Sequence, residues 1–133
     1  MSVIVTDAGF GPDGFNAGFA APGEQSDGQG VDLPNDADVV AVFDTIKDAP
    51  LIRIPFPSSA DGRGFTIAAR LRDLGYRGKL RAQGHVIAEQ YRKARGVGFD
   101  EVEIDDALAA RQPAPQWSPV QTLRYQSKFR RSA

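Results

Sequence analysis

The 133-residue chain contains no cysteine. Disulfides, thiolate zinc sites, cysteine nucleophiles and protein-held iron–sulfur clusters are therefore excluded together. One histidine (His85) and one methionine (Met1) leave almost no ligands for haem or copper. No apolar run approaches the roughly 18 residues of a membrane span. Residues 1–14 lack the basic flank and apolar stretch of a signal peptide, so a cytoplasmic protein without a membrane partner is expected. Hydrophobic residues at 41% and charged residues at 25% are what one globular domain of this length needs.

A net charge of −1 conceals two opposite halves. Residues 1–50 hold nine acids and only Lys47 as a base, a balance of −8, whereas residues 51–133 carry +7. Either the acidic part lies over the basic part, or the basic part faces an anionic partner. Glycine, proline and aspartate crowd residues 7–38, which leaves little apolar surface to offset chain entropy. The expected organisation is a loop-rich acidic segment over 1–36, an α/β domain over 37–125 and a basic tail over 126–133.

Val3-Ile4-Val5 is a short β-branched run suited to an edge strand. Asp38 followed by Val39, Val42 and Ile46 favours a capped helix over a strand. Leu51–Ile54 reads as a strand closed by Pro55 and Pro57, and Leu80–Ala82 and Glu101–Ile104 read as two more. Helical spacing predicts helices over Phe65–Leu74, ended by Gly75, and Val86–Val97, ended by Gly98. A short helix follows over Asp106–Arg111, and then a surface stretch from Pro113 to Pro119 that includes Trp117. The tail from Val120 to Arg131 is basic and fits no single element. A helix–glycine–strand unit recurs after 23 residues, at Gly75 and again at Gly98. Repeated αβ units imply right-handed crossovers between neighbouring parallel strands. The expected fold is a small, open, mainly parallel α/β sheet of consecutive βα units, resembling part of a (β/α) barrel.

In such sheets ligands sit at the carboxyl ends of the strands. Asp61-Gly62-Arg63-Gly64 falls there, between a strand and a helix start. The glycines admit a bound group, free amides favour an anion, and Arg63 offers a fork of donors. The equally physical alternative is that Asp61 caps the helix and pairs with Arg63. Arg81, Gly84 and His85 occupy the parallel position after the next strand. Arg81 and Gly84 are candidate anion ligands, and His85 is the one candidate acid–base group, set against an ordinary surface histidine. No nucleotide-binding spacing is present. The cations Arg70, Arg72, Arg77, Lys79, Arg81, Arg92, Lys93 and Arg95 suit an acidic protein surface better than nucleic acid, since aromatics among them are sparse.

The strings DGRGF (61–65), GYRGKLRA (75–82) and GFDEVEI (98–104) resemble the bacterial DUF934 family over about residues 39–125. That family is linked to oxidoreductase or accessory roles in assimilatory sulfite reduction. The resemblance therefore implies sulfite reductase, or another sulfur-assimilation protein, as a partner. An aromatic is usual in the family at Ser59, serine at Thr66, and aspartate at both His85 and Glu89. The aspartate usual at His85 weighs against a catalytic histidine there. Three readings follow: an accessory or docking protein that presents an oxyanion, a flavin-dependent oxidoreductase, or a structural homodimer without ligand.

Overall fold

The computed structural model describes residues 2–117 of the chain. Seven strands run in chain order: β1 (Ser2–Thr6), β2 (Gly9–Gly11), β3 (Phe19–Ala20), β4 (Gly30–Asp32), β5 (Leu51–Phe56), β6 (Lys79–Gly84) and β7 (Glu101–Asp105). The helices are α1 (Val39–Ile46), α2 (Arg63–Asp73), α3 (Tyr91–Val97) and α4 (Asp106–Arg111). One sheet contains all seven strands in the order β2-β1-β7-β6-β5-β4-β3. Strands β3 to β7 are parallel, and β1 pairs antiparallel with both β7 and β2. This is the open, mainly parallel α/β sheet that the sequence predicts.

Alternation along the strands divides the sheet into two unlike faces. Ile52, Ile54 and Phe56 of β5, Leu80 and Ala82 of β6, and Val102 and Ile104 of β7 are buried. They form one core with Phe65, Ala68 and Leu71 of α2 and with Tyr91 and Ala94 of α3. Burial of each large side chain contributes about 1.5–3 kcal/mol. The intervening positions point the other way. There Arg53, Arg81 and Glu101 lie side by side in register on β5, β6 and β7.

Several elements differ from expectation. Strand β1 is internal to the sheet, because the three residues of β2 pair with its outer side. Residues 7–38 contain β2, β3 and β4 in place of continuous loop, so the first 36 residues supply four of the seven strands. Strand β5 continues past Pro55 to Phe56. Its proline is tolerated because that residue faces the β4 side, where β4 ends at Asp32 and Asn35 Nδ2 reaches the Pro55 carbonyl instead. Helix α1 forms as expected, with the Asp38 side chain accepting from the Ala41 amide. Residues 86–97 are not one helix. Ile87 is extended and its amide donates to Gln90 Oε1, so a 3₁₀ turn over Ala88–Gln90 precedes α3. Trp117 is not on the surface but 2% exposed, edge-on to Phe10 and Tyr91, with Nε1 donating to the Gln112 carbonyl. A ring of that size is worth burying even from a proline-rich stretch. The basic tail expected over 126–133, like all of 118–133, lies outside the described residues.

Strands β2 and β3 are consecutive in sequence yet form opposite edges of the sheet. From Gly11 to Phe19 the chain can span at most about 29 Å, whereas six strand spacings in a flat sheet also come to about 29 Å. Residues 12–18 are not extended: the Phe15 amide donates to Asp13 Oδ1, and Gly18 has φ of +80°. The sheet must therefore curl. Residues 12–18 form a strap across its concave, charged face.

Candidate functional site

Two places in this fold gather charge. The first is the carboxyl edge of the parallel strands. The β5–α2 and β6–α3 connections meet there, as the repeated strand–loop–helix order requires: Gln90 Nε2 donates to the Ser59 carbonyl at 2.7 Å. Asp61 and Arg63 sit on this edge and bind each other. Arg63 Nε and Nη2 lie 2.8–3.3 Å from the Asp61 carboxylate, which also accepts from the Arg63 amide at 3.1 Å. Asn35 adds a further donor at 3.2 Å. Held chiefly by the Arg63 guanidinium, the Asp61 carboxyl is pulled down to about 2. The arginine fork in this structure is thus occupied by its own neighbour. Gly62 caps α2 without a side-chain bond.

The glycines have packing duties. A Cβ on Gly64 would lie 2.5 Å from the Phe56 ring, so this glycine lets α2 settle on the core. Gly84 has φ of +116°, and a Cβ there would lie 2.6 Å from the Phe56 carbonyl oxygen. His85 is exposed, with its amide donating to that same carbonyl at 2.9 Å. Asp61, Gly62, Arg63, Gly64, Gly84 and His85 therefore cluster around one edge. Arg81 does not join them.

Arg81 lies on the concave face, in the middle of the second gathering. Its Nε donates to Glu101 at 2.6 Å, Nη1 to Glu103 at 2.8 Å, and Nη1 and Nη2 to the two oxygens of Asp13 at 3.0 Å each. Arg53 bridges Asp32 at 2.6 and 3.0 Å and Glu103 at 3.1 Å, with the Phe19 ring 3.8 Å away. Lys79 lies 3.2 Å from the other oxygen of Glu101. Burial alone would depress the Arg81 guanidinium, but bonds to Asp13, Glu103 and Glu101 outweigh it and leave the group raised. Buried charges persist only when paired in this way. Beside the network is a cleft of about 550 Å³, walled by Ile4, Thr6, Leu51, Phe15, Lys79 and Arg81. Among the described residues no cluster of three or more His, Asp or Glu is placed to hold a metal ion. No described helix is long and apolar enough to cross a membrane.

Sequence reasoning missed Arg53, Glu101, Glu103 and Asp13 as site residues. A signal existed for three of them. Arg53 is the third residue of the otherwise apolar strand β5, Lys79, Arg81 and Gln83 alternate with Leu80 and Ala82 on β6, and Glu101-Val102-Glu103-Ile104 alternates acid with aliphatic. Charge on the inward-pointing phase of three adjacent strands marks a polar sheet face.

The strap and the turn before it are held by acids. Arg81, through its side-chain bonds, holds the Asp13 carboxyl below the usual carboxylate range. Arg95 and then Tyr91 do the same for Asp7, with Arg95 Nε and Nη2 at 3.1 and 3.0 Å and the Tyr91 hydroxyl donating at 2.7 Å. A carboxyl lowered on folding stabilises the fold above its unfolded value, and that contribution fades as pH falls through the folded value. Unfolding free energy, measured by urea titration at stepped pH, is expected to decline from about pH 4 downward. Asp13→Ala is expected to flatten the decline, and an unchanged slope would remove Asp13 as a contributor.

A curled, mainly parallel α/β sheet, with helices on its convex face and an ion-pair network on its concave one, is the class of protein these features define. The chain belongs to DUF934, a family described as a bacterial protein of unknown function, whose model matches residues 30–133. No curated protein and no solved structure matches it. The matched span contains Arg53, Arg81, Glu101 and Glu103, whereas Asp13 precedes it.

Proposed function

We propose that the protein works in the cytoplasm as an accessory, docking component of assimilatory sulfite reduction, with sulfite reductase or another sulfur-assimilation protein as partner. The link to sulfite reduction rests on the resemblance carried by 61–65, 75–82 and 98–104. The observation that supports docking is the distribution of paired and unpaired cations. Arg53, Arg63, Arg72, Arg81 and Arg95 are all ion-paired within the chain. Arg70 of α2, Arg92 and Lys93 of α3, and Arg77 in the turn after α2 are exposed and make no ion pair among the described residues. Helices α2 and α3 pack side by side, with Lys93 Nζ 4.7 Å from the Phe65 ring. The surplus positive charge is thus on the helical side, where it speeds encounter with an acidic surface.

Such contacts are screened over about 8 Å at physiological ionic strength. Co-purification with sulfite reductase of the same organism is therefore expected at low salt and not at high salt. The triple substitution Arg70→Glu, Arg92→Glu, Lys93→Glu is expected to abolish it at low salt. Association that ignores salt and survives the triple change would move the interface elsewhere. No association, together with a flavin band in the visible spectrum of the protein from its native host, would select the oxidoreductase reading instead.

A further inference from the structure

We infer that Arg81 anchors a binding site for a small organic carboxylate with an apolar body, and that Asp13 fills the arginine fork in the ligand's absence. The Arg81 side chain is 3% exposed and is held from the sheet by Glu101 and Glu103, its neighbours on β7. Its remaining donors, on Nη1 and Nη2, meet both oxygens of Asp13 at equal distance, the two-point geometry by which arginine recognises any carboxylate.

Asp13 is unlike the other two partners. It comes from the strap, where residues 12–14 and 16–18 are all exposed, and its own side chain is 30% exposed. No strand pairing fixes it. The strap can therefore lift from Arg81 without breaking the sheet, and opening of such segments is the least costly motion in a fold. Glu101 and Glu103 would keep the guanidinium in place.

The neighbouring cleft shows what the exchanged carboxylate carries. Its volume of about 550 Å³ suits a small molecule. Ile4 and Leu51 give it an apolar floor on the sheet, with Lys79 at one side, while Pro12 and Phe15 belong to the strap and move with Asp13. Charge bookkeeping also favours exchange over addition. Arg53, Lys79 and Arg81 face Asp32, Glu101, Glu103 and Asp13. When Asp13 leaves, three cations face three anions, and one entering carboxylate restores the original balance. A second anion beside a seated Asp13 would be repelled.

The site is independent of the docking surface, since it lies on the opposite face of the sheet, and failed association would leave its test unchanged. Benzoate is the probe, and the Arg81 Nε–H resonance of the full chain is the readout. In Asp13→Ala, benzoate is expected to shift this resonance at about a tenfold lower concentration than in the unaltered protein, because the fork no longer has to be vacated. Acetate, without the ring, is expected to need more than benzoate, and Arg81→Gln to abolish benzoate binding. Equal benzoate response with and without Asp13, or no response of Arg81 in Asp13→Ala, would overturn the inference. That comparison stands even where Arg81→Gln fails to fold, because Asp13 is an exposed strap residue.

Discussion

Arg81→Met is expected to lower the unfolding free energy by about 3–5 kcal/mol, the usual cost of removing one partner from a buried ion-pair network. Methionine fills much of the volume but supplies no charge. Glu101, with a side chain 5% exposed, would keep Lys79, and Glu103, 8% exposed, would keep Arg53 and the Ser2 hydroxyl. Asp13 would lose its anchor, and the strap its hold on the concave face. Urea unfolding followed by far-UV circular dichroism measures the loss. Adding Glu101→Leu to Arg81→Met is expected to recover part of it, since an apolar pair at such positions can match a buried salt bridge. A loss below about 1 kcal/mol would mean that water reaches these charges and that the network behaves like a surface pair.

Gly84→Ala is expected to cost at least about 2 kcal/mol. Two effects act on the same atom. An L-residue at φ of +116° carries strain of about 1–3 kcal/mol. The new Cβ would also meet the Phe56 carbonyl oxygen at 2.6 Å, an overpacking that typically costs about 1–3 kcal/mol. That oxygen cannot retreat easily, because Phe56 is paired in register with Gly84 and accepts from the His85 amide. Gly96→Ala supplies the contrast. Gly96 lies inside α3 with nothing within 4 Å of its would-be Cβ. There the same substitution is expected to stabilise by about 0.5–1 kcal/mol through helix propensity. Thermal unfolding of the two variants, side by side, tests both signs. A neutral Gly84→Ala would show that the turn after β6 relaxes freely.

What could be read from the sequence was local. Helix α4 was legible residue for residue, because Asp105 and Asp106 open it and its apolar positions are short-range. The terminators Gly75 and Gly98 were legible because both adopt positive φ. The repeat puts the loop after β5, with Asp61 and Arg63, and the loop after β6, with Gly84 and His85, on one edge, as the structure has them, whereas Arg81 points to the concave face. The Asp61–Arg63 pair was also legible, as the alternative in which the two residues satisfy each other. Strands β3 and β4, two and three residues long, carry too little pattern to be seen and exist only because β5 offers its edge. The Asp13–Arg81 contact joins residues 68 apart, and no spacing rule reaches that far. Trp117 was hidden by its prolines, which signal a surface path but say nothing of where a ring within it turns.

The strap has a consequence for how the chain can be divided. A single cleavage after Phe15 would leave every strand pairing intact while turning one molecule into two. The short fragment would be a β1–β2 hairpin, attached to the remainder by four residue pairs along β7 and by the Asp7–Arg95 and Asp13–Arg81 ion pairs. Its retention would then depend on concentration, as for any bimolecular complex, and not on covalent connection. The remainder would keep the continuous parallel ladder from β3 to β7. Supplied separately, a hairpin peptide of residues 1–15 would act as a removable edge for that ladder, and its dissociation constant would report directly how firmly β1 and the two ion pairs hold to the remainder.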